Sequence, residues 1–398
     1  DVRGDGGFVE VSGKSNLVFK GNVNTSAPLG TPGQLLLDPT NINIGATAYN
    51  GTPGNLAPPV GTTAGDFLWA QADDAALSGE ITPAQVVSLL INNDLTLEAS
   101  NNITVSSAIN FDGIGFATNR TLTLRAGNNI LINALIDDGN LATTDRLNLV
   151  LTGNTDGDPT AGVVRFDAAG GTFTRGGNLT VTNTHSGNFP AIINFTAIDT
   201  SSSVAGSGGS ITFIGTNPGT GGTFNRGIET VAAITSGGGA ITFIGQGNGG
   251  TNTSGIGIIL FNPVNSGGGN ITLTGTSTGT GFSRGIELSG GGGSVTSGGG
   301  TVSLTGVTSG TAPGIASFST INSGIGAIVI NGTNTSPTPV FSYGAEVGTL
   351  VSTTGNITAT GSSVANSGVV VNGTITSTSG DISLTGDRID VRLSLIHI

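Results

Sequence analysis

The stretch "SGGGNITLTGTS", residues 266–277, returns as "SGGGAITFIGQG" from Ser236, "SGGGTVSLTGVT" from Ser297 and "SGDISLTGDR" from Ser379. Aligned on the first β-branched residue, the series runs Ile211, Ile241, Ile271, Val302, Ile328, Ile357 and Ile382, in steps of 30, 30, 31, 26, 29 and 25 residues. Self-similarity at such a period marks a solenoid, in which one copy cannot bury its apolar face alone and stacked copies bury a common core. Within each phrase the side chains alternate. Ile271 and Leu273 fall on one side, Thr272 and Thr274 on the other, the period of a strand with one buried face.

Two further elements recur in each repeat. One reads "RGIET" from Arg226, "GIGII" from Gly255, "RGIEL" from Arg284, "GIASF" from Gly314 and "GAEVG" from Gly344. The other precedes the next glycine cluster, as in "VAAITSGGG", "FNPVNSGGG" and "GSVTSGGG". Three short strands per coil of 25–31 residues, turned at glycine-rich corners, predict an all-β chain folded as a parallel β-helix. Equivalent residues then stack ~4.8 Å apart into ladders. Ile241, Phe243, Ile271, Leu273, Val302 and Leu304 are expected inside the tube, with Thr242, Thr272 and Ser303 outside.

Residues 206–392 carry the regular repeats, and residues 78–205 read as less regular coils of the same kind. There, "LTLEASNNITV" from Leu95 and "LTLRAGNNILI" from Leu122 place Asn at turns, where side-chain amides can stack. One stretch differs. Thr82 can cap, Pro83 suits a first helical position, and the apolar run to Leu90 predicts a short helical insertion over a coil end or side, near 83–90. Residues 45–77, rich in Gly, Pro, Thr and Ala, read as a loop or linker.

Composition narrows the function classes. Of 398 residues 70 are Gly and 9% are charged, while 36% are hydrophobic, enough to bury a core. A net charge of −12 repels phosphate backbones, which argues against nucleic-acid binding. The longest apolar run, residues 256–261, is too short to span a membrane. With no Cys there is no disulfide framework or thiol chemistry, which suits export through a periplasm. With no Met the chain reads as a fragment or a processed product. The tail "LSLIHI", 393–398, abandons the compositional pattern and can be encoded by a transposon-end adapter. It reads as non-native, with the natural sequence stopping near Arg392 and the last coil, Ile382 and Leu384, left without a cap.

The N-terminal run "GGFVEVSGK" (6–14), "TSAPLGTPG" (25–33) and "LLLDPTNI" (35–42) resembles the filamentous haemagglutinin family of two-partner-secreted exoproteins. The resemblance covers about the first third of the chain; the later repeats agree in style. It implies that residues 1–44 are strands ending or following a secretion-type domain, and that a β-helical adhesin shaft follows. It further implies an outer-membrane pore as secretion partner, glycan or protein receptors, and a place outside a Gram-negative-type cell.

Chemistry-bearing residues are few. Gly13, Lys14 and Ser15 end like a P-loop, but Phe8 stands where its first glycine belongs. Arg3, Gly4 and Asp5 spell an integrin tripeptide that chance readily supplies. Asp156 and Asp158 could offer calcium oxygens, yet without tandem glycine–aspartate repeats they read as an Asp–Gly turn. His185 has no Cys partner and reads as a solvated strand-end residue. A polysaccharide lyase or hydrolase on this fold would cluster Asp, Arg or Lys on one face. Arg226/Glu229 and Arg284/Glu287 instead recur two repeats apart and read as structural pairs at coil corners. Outward Thr-x-Thr rows, as in ice-binding solenoids, are complete in only two of six coils. No residue is therefore assigned a catalytic, cofactor-binding or metal-binding role, and the expected function is a non-enzymatic shaft.

Overall fold

A computed structural model of the chain describes residues 4–12, 16–19, 23–27, 29–45, 67–70, 79–111, 114, 119–138, 146–158, 162–221, 224–250, 255–392 and 396–397. Its strands form three stacked sheets, and consecutive coils add one strand to each. The first sheet holds 13 strands, from Phe8–Ser12 to Ile382–Gly386; the second holds 15, ending at Ile389–Val391; the third holds 11, from Ile109–Asn110 to Ile396–His397. The result is the parallel β-helix, or β-solenoid, that the repeat predicts.

Registers follow the aliphatic pattern. One inward ladder runs Val9, Leu35, Leu95, Leu122, Leu149, Leu179, Ile211, Ile241, Ile271, Val302, Ile328, Ile357 and Ile382 without a break. The six predicted core residues are fully buried, and Thr242, Thr272 and Ser303 point outward. Phe213 and Phe243 stack inside the tube at 4.9 Å between ring centroids. At Leu147 the phrase begins one pleat early: Leu147 pairs with Arg120, and Leu149 with Leu122. A slip of two residues keeps every side chain on its face, whereas a slip of one would invert them all.

The corner phrase has a specific chemistry. The buried hydroxyls of Ser236, Ser266 and Ser297 donate to the carbonyls of Gly239, Gly269 and Gly300, and also across to the next coil at Ser266, Ser297 and Ser323. Gly237 and Gly267 turn the corner with φ of 61° and 62°, which a Cβ disfavours. The amide ladder also forms: Asn102 accepts from the Asn129 amide at 2.9 Å and donates to Asn41 at 3.4 Å.

The helix, Pro83–Leu90, begins as expected, with Thr82 and Gln85 completing a capping box. It buries Val86, Leu89 and Leu90 and packs against Ile109–Asn110, the first strand of the third sheet, so that it covers that sheet's N-terminal edge. Two buried side chains secure its far end. Asn93 donates to the carbonyls of Leu89 (2.7 Å) and Val23 (3.0 Å) and accepts from the Thr25 amide (2.9 Å). Arg120, only 2% exposed, donates from Nε to Leu90 O and from Nη2 to Ile91 O, both at 2.9 Å. Burial lowers its pKa while Asp94 opposes the shift; Asp94 is itself raised by burial, against the Thr121 amide and Arg120. A cation at the negative end of a helix, satisfying its last carbonyls, is favourable on both counts. Arg120→Met should therefore cost about 2–3 kcal/mol and loosen the N-terminal end. Hydrogen exchange would rise at residues 83–91, while the coils beyond 206 stay protected.

Within the segment expected to be linker, Phe67–Ala70 form a strand antiparallel to Asn16–Phe19. Most of the rest of that segment lies outside the described residues, as do Arg3, Gly13, Lys14 and Ser15. In the tail, Ile396–His397 pair with Ile375–Ser377 on the third sheet. In the last coil Ile382 and Leu384 are partly exposed, and Ile389 and Val391 are each 43% exposed.

Candidate functional site: the outward face of the second sheet

The outward side of the first sheet is mostly hydroxylated. Thr180, Thr212, Thr242, Thr272, Ser303, Val329 and Thr358 form one register file, and Thr182, Ile214, Ile244, Thr274, Thr305, Asn331 and Thr360 the next. The breaks predicted by sequence remain in these files.

The second sheet differs. Its outward file runs Glu229, Ile259, Glu287, Ala316, Glu346, Val370 and Asp390, an acid and an aliphatic residue in strict alternation. The aliphatic rungs are shielded: Ile259 is 2% exposed, Ala316 and Val370 0%. These strands are buried on both faces, which is why "GIGII" reads as a continuous apolar run.

Around Glu229 and Glu287 the same group assembles. Arg226 meets Glu229, and Arg284 meets Glu287, at 2.5 Å. Arg226 lies 4.9 Å from the Phe224 ring, and Arg284 lies 4.6 Å from Phe282 and 5.6 Å from Phe318. In the third motif Tyr343 replaces arginine, and Glu346 instead accepts from the Asn372 side-chain amide. Arg392, paired with Asp390, lies 5.2 Å over the Tyr343 ring and 2.9 Å from its hydroxyl. Hydrogen bonds from Arg392 to Tyr343 and Asp390 raise its pKa.

This geometry corrects the sequence reading of the Arg/Glu pairs. They lie within the strands Arg226–Thr230 and Arg284–Leu288, not at corners. Their side chains are only 12–13% exposed, and ring faces cover them. The motif that sequence inspection missed is "FNRGIE" (224–229), "FSRGIE" (282–287) and "FSYGAE" (341–346). Its period is two coils, so a search by single coils passes over it.

The other candidates separate. His185 ends its strand as expected, but it is 5% exposed rather than solvated, because its position turns into the tube beside Gly187. Asp156 accepts from the Asp158 amide at 3.0 Å and Gly157 has φ of 75°, an Asp–Gly turn. Among the described residues no group of three or more His, Cys, Asp or Glu could hold a metal ion, and no helix is long and apolar enough to cross a membrane. The fold and this face define a β-solenoid protein with a two-coil surface repeat. No known family's model matches the chain, and no curated protein does.

Proposed function

We propose that the chain is a non-enzymatic shaft segment of a secreted or surface-exposed adhesin, similar to filamentous haemagglutinins, that holds binding surface away from the cell. The observation that carries this reading is the uninterrupted ladder of 13 rungs in the first sheet, of which the 11 coils that also add a third-sheet strand make roughly 48 Å of three-sided tube at the ordinary strand spacing. A tube of that kind resists bending and repeats its outward chemistry along its length. The absence of Cys and the N-terminal resemblance add the export route, with an outer-membrane pore as partner.

The alternative, a catalytic β-helix of the pectin-lyase type, needs a free base beside a charge-neutralising cation. Here Glu229 and Glu287 are each neutralised by their own arginine at 2.5 Å. An antibody against residues 206–392 should label intact producing cells or recover the chain from their medium, and the purified chain should leave pectin uncleaved. Labelling only after lysis would overturn the adhesin reading. Pectin turnover abolished by Glu287→Gln would overturn the non-enzymatic one.

A further inference from the structure

We infer that the outward face of the second sheet binds a neutral, extended β-1,4-linked glycan laid along the solenoid axis, one disaccharide to every two coils. The inference rests on the adhesin reading and names the ligand class of its binding surface.

The period is the first argument. Glu229, Glu287 and Glu346 stand on alternate rungs of one register file. Phe224, Phe282 and Phe341 each stand five residues before one of them. Rungs two coils apart are about 9.6 Å apart. An extended β-1,4-linked chain turns each sugar over relative to the last, so the same ring face recurs at every second sugar, at a comparable distance. A ligand with the period of a single coil would have no use for a motif that skips every other one.

The chemistry is the second. Phe224 and Phe282 are 47% exposed and Phe341 57%. Large rings in water are costly unless something covers them, and the C–H face of a pyranose is an apolar surface of matching size. Phe341 is also held at φ of 53°. A bulky side chain rarely adopts that backbone region, and such strain tends to accumulate at functional sites. Beside Phe224 and Phe282 an arginine–glutamate pair, 12–13% exposed, holds fixed polar groups at the edge of the ring, and in the third motif Glu346 is held by the Asn372 amide. These are the few oriented polar groups a ligand surface needs.

Charge is the third. Each arginine of these clusters is balanced by a carboxylate in contact with it: Arg226 by Glu229, Arg284 by Glu287, Arg392 by Asp390. The chain as a whole carries −12. A sulfated or uronic-acid glycan would meet no uncompensated cation here, so a neutral chain is the fitting partner.

The test is calorimetric titration of the full chain with cellohexaose, chitohexaose, maltohexaose and heparin. Saturable binding of cellohexaose or chitohexaose is expected, strengthening in steps of two sugars with chain length. Maltohexaose, whose α-linkage coils the chain, should bind far more weakly, and heparin should not bind better. Phe282→Ala should weaken binding about tenfold or more with an unchanged thermal melt, and Phe282→Trp should retain it. Phe224→Ala samples an independent ring two coils away and should also weaken binding. No binding of either β-1,4 oligomer at millimolar concentration, equal binding of maltohexaose, preference for heparin, or indifference to both alanine variants would each overturn the inference. Surface labelling without sugar binding would overturn it and spare the adhesin reading. Sugar binding without surface labelling would do the reverse.

Discussion

Replacing Ile271 by Asp is expected to unfold the middle of the solenoid at neutral pH, at a cost of at least about 4 kcal/mol. Ile271 is fully buried between Ile241 and Val302, its register partners on either side. A carboxylate there would face only aliphatic rungs, with no cation and no donor to offset its desolvation. The variant's carboxyl would therefore have a folded-state pKa raised above its unfolded value of about 3.9. The penalty is then full at neutral pH and fades as pH falls toward that unfolded value, because the neutral acid is cheaper to bury. Ile271→Val, which removes one methyl group, should cost only about 1 kcal/mol. Repeat proteins need not unfold in one step. The measurement is therefore protease susceptibility and hydrogen exchange mapped along the chain, with a denaturant titration beside it. Loss of protection should centre on the coils that hold residues 241–302. An aspartate variant within 1 kcal/mol of the parent would mean that Ile271 does not face the interior.

The second large effect falls on a glycine that no turn requires. Gly215, Gly245, Gly275, Gly306, Gly332 and Gly361 form a register file in the first sheet. They face a second file in the second sheet, Gly227, Gly257, Gly285, Gly314, Gly344 and Gly368. A Cβ on Gly275 would stand 2.1 Å from the Gly285 carbonyl oxygen and 2.6 Å from Ile286 Cγ1. The two sheets converge here backbone to backbone, and a methyl group has nowhere to go. Gly275→Ala should cost about 3 kcal/mol through forced separation of the sheets. Gly291 is the contrast. It has φ of 89° and open space around its missing Cβ, so Gly291→Ala should cost about 1 kcal/mol, from backbone strain alone. Matched denaturation curves would check the ranking. If Gly275→Ala proved no worse than Gly291→Ala, the close approach of the two sheets would be wrong.

The amino-acid sequence by itself determined the features whose causes are local. Alternation of period two assigned Ile271 and Leu273 to the interior and Thr272 to the exterior, and both hold. The serine–glycine corners, the Asn stacks at residues 41, 102 and 129, and the Thr82 cap each depend on a few neighbouring residues and were legible for that reason. The tertiary structure decided whatever depends on which rung lies over which. Connections between strands vary in length from coil to coil, so register cannot be counted along the chain. Leu149, not Leu147, stacks on Leu122. Gly275 and Gly285 are ordinary loop-formers by type until two sheets bring them face to face. His185 reads as a solvated strand-end residue yet is buried, and Arg120, which nothing in the sequence singles out, closes a helix end. The alternate-coil file of Glu229, Glu287 and Glu346 is written in the sequence at intervals of 58 and 59 residues. It becomes a surface only because stacking at ~4.8 Å per coil converts those intervals into neighbouring rungs of one ladder.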